Sequence, residues 1–249
     1  AGVPQGSVLG PILYCIYMSD IPTTDQTKIL MYADDTIIYS QSMNPNFAVS
    51  KIQNHISLLE KWLKQWRILT NSEKCQAIIF TRCLKRPRDN IIVNNNQIPY
   101  SETVKYLGIY LDKKLLWHKH ISVTKAKGCA RIALLYPLLK SPVLTRKKKV
   151  TIYIMLILSI LTYAAPAWCY IPRTLFQQLQ VVQNKALRII NDSDWYTRNS
   201  QIHQDLHMKT LNLIIKEQVA KFYLSIENHE NPYIKELGQY NPSIYTKFR

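Results

Sequence analysis

Ile29-Leu30-Met31-Tyr32-Ala33-Asp34-Asp35-Thr36-Ile37-Ile38-Tyr39 is the stretch on which the reading of this chain turns. Apolar residues run into Tyr32-Ala33-Asp34-Asp35 and out of it again, so the segment reads as two short strands interrupted by adjacent carboxylates. Buried in a hairpin, an ionised pair would be costly. A turn resolves this by placing both carboxylates at the tip, open to solvent and to metal. Hard divalent cations such as Mg²⁺ take oxygen ligands and are commonly held by one or two carboxylates plus phosphate oxygens. A bare Asp pair is also an ordinary polar turn, because Asp favours turns for its own hydrogen-bonding reasons. The surroundings therefore decide what the pair means.

The chain has 249 residues, enough for one large domain or two modest ones. Lys and Arg number 32 against 16 acidic residues, a formal net charge of +16. That charge is unevenly spread. The first 60 residues hold only Lys28 and Lys51 against Asp20, Asp25, Asp34, Asp35 and Glu60. An acidic, metal-competent head before a strongly basic body points to a polyanion, and nucleic acid fits best because neutralised phosphates release counterions. A plain solvated basic surface is the alternative. The five cysteines, Cys15, Cys75, Cys83, Cys129 and Cys169, are scattered and odd in number, with no C-x-x-C pair. This argues against a disulfide scaffold and a zinc ribbon, and fits a reducing compartment.

Residues 1–11 form a Gly/Pro-punctuated loop, followed by helical spacing of Leu9, Ile12, Leu13, Ile16 and Tyr17 from Val8 to Met18, with Ser7 placed to cap it. Residues 46–67 read as an amphipathic helix whose apolar stripe is Phe47, Ile52, Ile56, Leu59, Leu63 and Trp66. A turn at Asn71-Ser72-Glu73 leads to an expected strand from Gln76 to Thr81 and a basic loop from Arg82 to Asp89. Residues 91–98 read as a hairpin with an Asn-rich turn, and Val104 to Leu111 as a strand broken by Gly108. Beyond Asp112 helical patterns take over, at roughly 117–140, 145–165, 172–190 and 200–230. The charge-free run from Val150 to Pro172 is long enough for a membrane span, and Lys147-Lys148-Lys149 precedes it. It ends in Thr162-Tyr163-Ala164-Ala165-Pro166 with no second span, so a buried core helix is expected.

With loop and hairpin in hand, a resemblance emerges. Gly2-Val3-Pro4-Gln5-Gly6-Ser7-Val8-Leu9-Gly10-Pro11 followed by Tyr32-Ala33-Asp34-Asp35 resembles the reverse transcriptases of non-LTR (LINE-type) retrotransposons. Asn71-Ser72-Glu73-Lys74-Cys75 before an apolar run ending in Phe80 resembles their lysine-bearing palm motif. Tyr106-Leu107-Gly108-Ile109 resembles their primer-grip hairpin, and Leu161-Thr162-Tyr163-Ala164 with Trp168 resembles the thumb region of the jockey-like group. The resemblance implies an α+β fold: a partial polymerase palm (antiparallel sheet with flanking helices) over 1–112, then an all-helical thumb and C-terminal extension over 113–249. It implies RNA-directed DNA polymerisation by two-metal nucleotidyl transfer with Mg²⁺ or Mn²⁺. RNA template, DNA primer and deoxynucleoside triphosphates would be the partners, inside the cell, in nucleus or cytoplasm. No disulfide or membrane partner is expected.

Residue by residue, the resemblance makes Asp34 the firm metal ligand and Asp35 a less direct one, with Tyr32 near the primer terminus. Lys74 would approach the pyrophosphate; an ordinary surface lysine is the bland alternative. Gln5 and Gly6 would lie beneath the templating base pair, where Gly permits close backbone approach and Gln offers a hydrogen bond. Gly108 belongs to the primer grip. Lys147 and Lys148, with Arg146, Lys149, Lys125, Lys127 and Arg131, would follow duplex phosphates, or simply form a solvated face. The family's third carboxylate comes from a strand before the Gly-Val-Pro-Gln-Gly loop, where this chain begins, and Asp20 does not match that motif. The chain alone is therefore expected to be a C-terminal fragment, inactive or nearly so. Two rivals remain: a catalytically dead nucleic-acid-binding remnant, and a membrane-associated protein anchored by 150–172. The histidines at 118, 120, 203 and 207 are expected to be structural or solvent-facing, and Trp62, Trp66 and Trp168 to be core. Trp195, Tyr196 and Arg198 lie in a polar stretch that could contact nucleic acid.

Overall fold

The computed structural model describes residues 6–81 and 87–235. It divides into two compact units, 1–106 and 107–249.

The first unit begins with α1 (Gly10–Tyr17), where Pro11 occupies the first turn. Ser7 Oγ accepts from the Gly10 N–H at 3.0 Å, satisfying one of the donors a helix start leaves open. β1 (Lys28–Tyr32) and β2 (Asp35–Tyr39) pair antiparallel, in the register Tyr32↔Asp35 through Lys28↔Tyr39. α2 (Pro45–Gln65) starts at Asn44, whose side chain accepts from Asn46 N–H at 3.0 Å. Its buried face is Val49, His55, Ile56, Leu59 and Trp62. His55, 1 % exposed, bonds Thr27 Oγ1 at 2.5 Å and the Pro22 carbonyl at 2.8 Å, pinning the loop before β1 to the helix. α1 is tied to the far end of α2: Tyr17 Oη donates to the Trp66 carbonyl at 2.6 Å and Trp62 Nε1 to Asp20 at 3.2 Å. β3 (Ile91–Val93) and β4 (Asn96–Ile98) pair across Asn94-Asn95. Both asparagines have positive φ (49° and 63°), as a two-residue hairpin turn between right-twisted strands requires. The core of this unit is small: Val49, Ile56, Ala77, Ile91 and Ile98, with Ile38 and Tyr100 packed against it.

Three features of this unit differ from the sequence-based expectation. Gln76–Thr81 does not form a strand; among the described residues its only ladder contact is a bridge from Ala77 to Tyr100. The antiparallel strands form separate pairs rather than one continuous sheet. Phe47 is 64 % exposed and Trp66 37 % exposed, so neither is a core residue; Trp66 instead meets Tyr17 edge to face at 5.0 Å.

The second unit begins at Leu107-Gly108, both at positive φ, through which the chain passes from β5 (Thr103–Tyr106) into β6 (Ile109–Asp112). Gly108 (φ +81°) could not carry a side chain easily: an added Cβ would lie 3.2 Å from the Tyr163 ring. Asp112 organises the turn into α3 (His118–Lys140) by accepting from the N–H groups of Leu116 at 2.9 Å and Trp117 at 2.7 Å. α3 packs on α7 (Arg173–Asn191), whose Leu175, Leu179, Val182, Ala186 and Ile190 recur every three or four residues and are buried. Gly128 permits that approach, since a Cβ there would lie 3.0 Å from both Leu161 and Val182. The expected helix 145–165 is three pieces: α4 (Arg146–Tyr153), a π-helical turn (Ile154–Leu158) and α5 (Ser159–Leu161). A short α6 (Ala165–Trp168) follows, fixed by Trp168 Nε1 donating to the Tyr163 carbonyl at 2.8 Å. No helix among the described residues is long and apolar enough to cross a membrane, and the 150–172 run instead supplies Tyr153, Ile157, Leu161 and Trp168 to the core.

The expected helix 200–230 also divides, into α8 (Asn199–Asp205) and α9 (Leu211–Glu227), with a short α10 (Pro232–Lys235) beyond. The break is built by polar side chains. His203 bonds the Met208 carbonyl at 2.8 Å and Asn184 at 3.1 Å, and fully buried Gln183 donates to the Lys209 carbonyl and accepts from Leu211 N–H at 2.7 Å. His203 is thus structural, as expected.

Candidate metal and nucleotide site

The hairpin tip is where local chemistry and position meet. Ala33 and Asp34 make the turn and Asp35 opens β2. Ala33 is left-handed (φ 52°), a conformation that costs an L-residue with a Cβ roughly 1–2 kcal/mol. Tyr14 on α1 offsets it: its hydroxyl donates to the Ala33 carbonyl at 2.5 Å. Burial raises the Tyr14 pKa, and the nearby Asp34 charge raises it further, so the hydroxyl keeps its proton and remains a donor. Asp34 and Asp35 are both exposed. Among the described residues neither carboxylate has an ion-pair or hydrogen-bond partner on its side chain.

Antiparallel partners share a face, so Tyr32 (65 % exposed) and Asp35 lie side by side, with Leu30 and Ile37 next along the same face. Ile38 faces the other way, into the core. Two unpaired carboxylates on a braced turn are suitable donors for a hard divalent cation. Among the described residues no group of three or more His, Cys, Asp or Glu side chains comes together.

The other sequence-derived residues are placed as follows. Gly6 has φ +85° with open space around it, and Gln5 lies outside the described residues. Lys74 is exposed at the end of a single 3₁₀ turn (Ser72–Lys74) capped by Asn71, and donates to neither Asp34 nor Asp35. Gly108 sits in the Leu107-Gly108 turn, where Tyr163 Oη donates to the Leu107 carbonyl at 2.8 Å. Lys147 and Lys148 are exposed on the first turn of α4, whereas Lys149 is buried. Tyr14 was not legible as a site residue, because its contact spans 19 residues and nothing in the α1 pattern distinguishes it.

The profile of the reverse transcriptase (RNA-dependent DNA polymerase) family matches residues 1–111. Residues 1–111 carry a domain of that family. The chain's relatives there are the polymerases of jockey-like non-LTR retrotransposons. It is 31 % identical over 97 % of its length to the probable RNA-directed DNA polymerase from transposon X-element of Drosophila melanogaster. It is 30 % identical over 96 % of its length to the RNA-directed DNA polymerase from mobile element jockey of Drosophila funebris, and 31 % identical over 96 % to that of Drosophila melanogaster. The chain spans 27 % of the length of each. No solved structure matches it.

Proposed function

We propose that this chain supplies the metal-bearing part of an RNA-directed DNA polymerase that copies the RNA of a mobile element into DNA. The observation that carries the reading is the unpaired Asp34–Asp35 pair on a turn braced by Tyr14, within the segment the family profile matches. Residues 1–112 act as part of the palm, and 113–249 as the helical thumb and its extension.

Asp34 and Asp35 hold the divalent cation, Mg²⁺ or Mn²⁺, with Asp34 the firmer ligand. Bound there, such cations activate the primer 3′-hydroxyl and offset charge on the leaving pyrophosphate. Tyr32, on the face it shares with Asp35, lies against the primer terminus. Lys74 presents an exposed ammonium on a capped turn and neutralises or protonates the pyrophosphate. Gln5 and Gly6 support the templating base pair, the latter with a backbone open to close approach. The Gly108 turn steadies the primer, and Lys147 and Lys148 follow the phosphates. RNA template, DNA primer and deoxynucleoside triphosphates are the ligands.

Asp34 and Asp35 by themselves are an incomplete ligand set, since among the described residues no group of three or more His, Cys, Asp or Glu side chains comes together, and the 249-residue chain alone is expected not to polymerise. Primer extension on poly(rA)/oligo(dT) tests this. The purified chain is expected to give no extension, and robust extension would overturn the incomplete-site reading. A catalytically dead remnant is separated by placing these residues in an active polymerase of the family: an Asp34→Asn change that leaves its rate untouched would favour the remnant.

A further inference from the structure

The helical unit carries a feature that polymerase chemistry does not use. A cavity of about 270 Å³ is lined by Tyr136 and Lys140 of α3, Arg188 and Ile189 of α7, and Asp192 and Trp195 of the loop after α7. That loop is held tightly. Asp192 turns the chain out of α7 in a left-handed conformation (φ 53°). Arg188 clamps the next few residues, donating to the carbonyls of Asp194 and Thr197 (the latter at 2.8 Å) and to Asn199 Oδ1 at 3.0 Å. Tyr196 Oη donates to the Asp194 carboxylate at 2.7 Å.

The surface presented by this clamp is aromatic and wet. Trp195 is 88 % exposed and Tyr196 69 %, their rings edge to face at 5.8 Å, while Tyr136 on another wall of the cavity is 48 % exposed. Several hydrogen bonds thus fix the loop on either side of an indole that stands in water and buries little area. The surrounding charge is positive. Lys140 pairs with Asp192, and Arg146 and Lys149 of α4 also act on that carboxylate. With Arg188, four cations stand against Asp192 and Asp194, and Lys147 and Lys148 lie exposed on the same turn of α4. A fixed aromatic platform beside a basic surface suits nucleobases with their phosphates. In a duplex both faces of each base are covered by neighbours, so the platform suits an unpaired strand.

We infer that this cavity and its loop bind single-stranded nucleic acid, one unpaired base stacking on Trp195 beside Tyr136 while its phosphates are drawn to Lys140 and the α4 lysines. The inference rests on the nucleic-acid partner proposed above, but not on the chemistry at Asp34. The test uses the full chain and fluorescence anisotropy with labelled oligo(rU), oligo(dT) and a short duplex across a salt series. Trp195→Ala is expected to weaken both single strands roughly tenfold, leaving duplex affinity and salt slope unchanged, and Trp195→Phe to restore most of the loss. Lys147→Ala with Lys148→Ala is expected instead to reduce the salt slope by roughly 0.7 for each phosphate no longer neutralised. Single-strand binding indifferent to Trp195, or an equal loss on duplex, would overturn this site while leaving the polymerase reading intact. A chain that binds no nucleic acid at all would overturn both. Trp195 is exposed, so its substitution does not threaten folding.

Discussion

The two units put their apolar residues to opposite uses. In the helical unit twenty-one apolar side chains among the described residues join one buried cluster, and the largest, Trp168, is fully enclosed. In the first unit the buried cluster has five members among the described residues, while Ile12, Leu13 and Ile16 of α1 and Leu30 and Tyr32 of the hairpin stand 48–65 % exposed. The larger buried cluster belongs to the helical unit, whereas the exposed carboxylate pair stands on a light frame braced by single hydrogen bonds. Substitutions at the buried positions of the helical unit should therefore register as unfolding free energy, and those at the tip as function.

The largest effect is expected from Trp168→Ala, which empties a fully buried site and should cost about 3–5 kcal/mol of unfolding free energy in denaturant titration. Asp34→Asn is next: in an active polymerase containing these residues it should lower the extension rate on the order of 10³-fold, with an unchanged thermal midpoint because Asp34 is exposed and unpaired. Gly128→Ala should destabilise by about 1–3 kcal/mol despite the better helix former, since its Cβ would press on Leu161 and Val182 at 3.0 Å. An unchanged or raised midpoint would show that α3 and α7 can part without cost.

His120 gives a smaller, pH-dependent contrast. It is 3 % exposed, wedged between Trp117 and Trp168, and neither ring nitrogen has a hydrogen-bond partner. Burial, and secondarily Lys127, lowers its pKa in the folded state. The unfolded chain therefore takes up the proton first, near the ordinary value of about 6.5. The stability tied to neutral His120 is fully present above that pH and is lost as pH falls toward the folded value. His120→Leu should flatten this slope, measured by denaturant titration between pH 7.5 and roughly 5, and alter stability at neutral pH by only ~1 kcal/mol. Smallest is Tyr14→Phe, which removes one hydrogen bond to Ala33, worth about 0.5–1.5 kcal/mol. It should speed amide exchange around Ala33 and leave the global midpoint alone.

How much of the fold and site was legible in the sequence depends on how local each cause is. The hairpin around Asp34-Asp35, the Asn94-Asn95 turn and the bounds of α2 were readable because alternation, turn chemistry and amphipathic spacing act within a few residues. The division of 200–230 was not, because Gln183 and His203 impose it from elsewhere through the Lys209 and Met208 carbonyls. The π-helical turn inside the charge-free run left no compositional trace. Gln76–Thr81 has the composition of a strand but pairs only at Ala77, and pairing is not a property of one segment. At the tip, the carboxylates were visible as a motif, whereas the Tyr14 brace and the absence of a third clustered ligand among the described residues are three-dimensional facts that no spacing encodes.

Whether Asp34 and Asp35 form a divalent-cation site on the hairpin tip is tested most directly by paramagnetic broadening of backbone amide signals by Mn²⁺ in the purified chain. Saturable broadening centred on Ala33, Asp34 and Asp35 is expected, reversed by excess Mg²⁺ and abolished by Asp34→Asn. Broadening centred on another acidic cluster, or undiminished in Asp34→Asn, would contradict it.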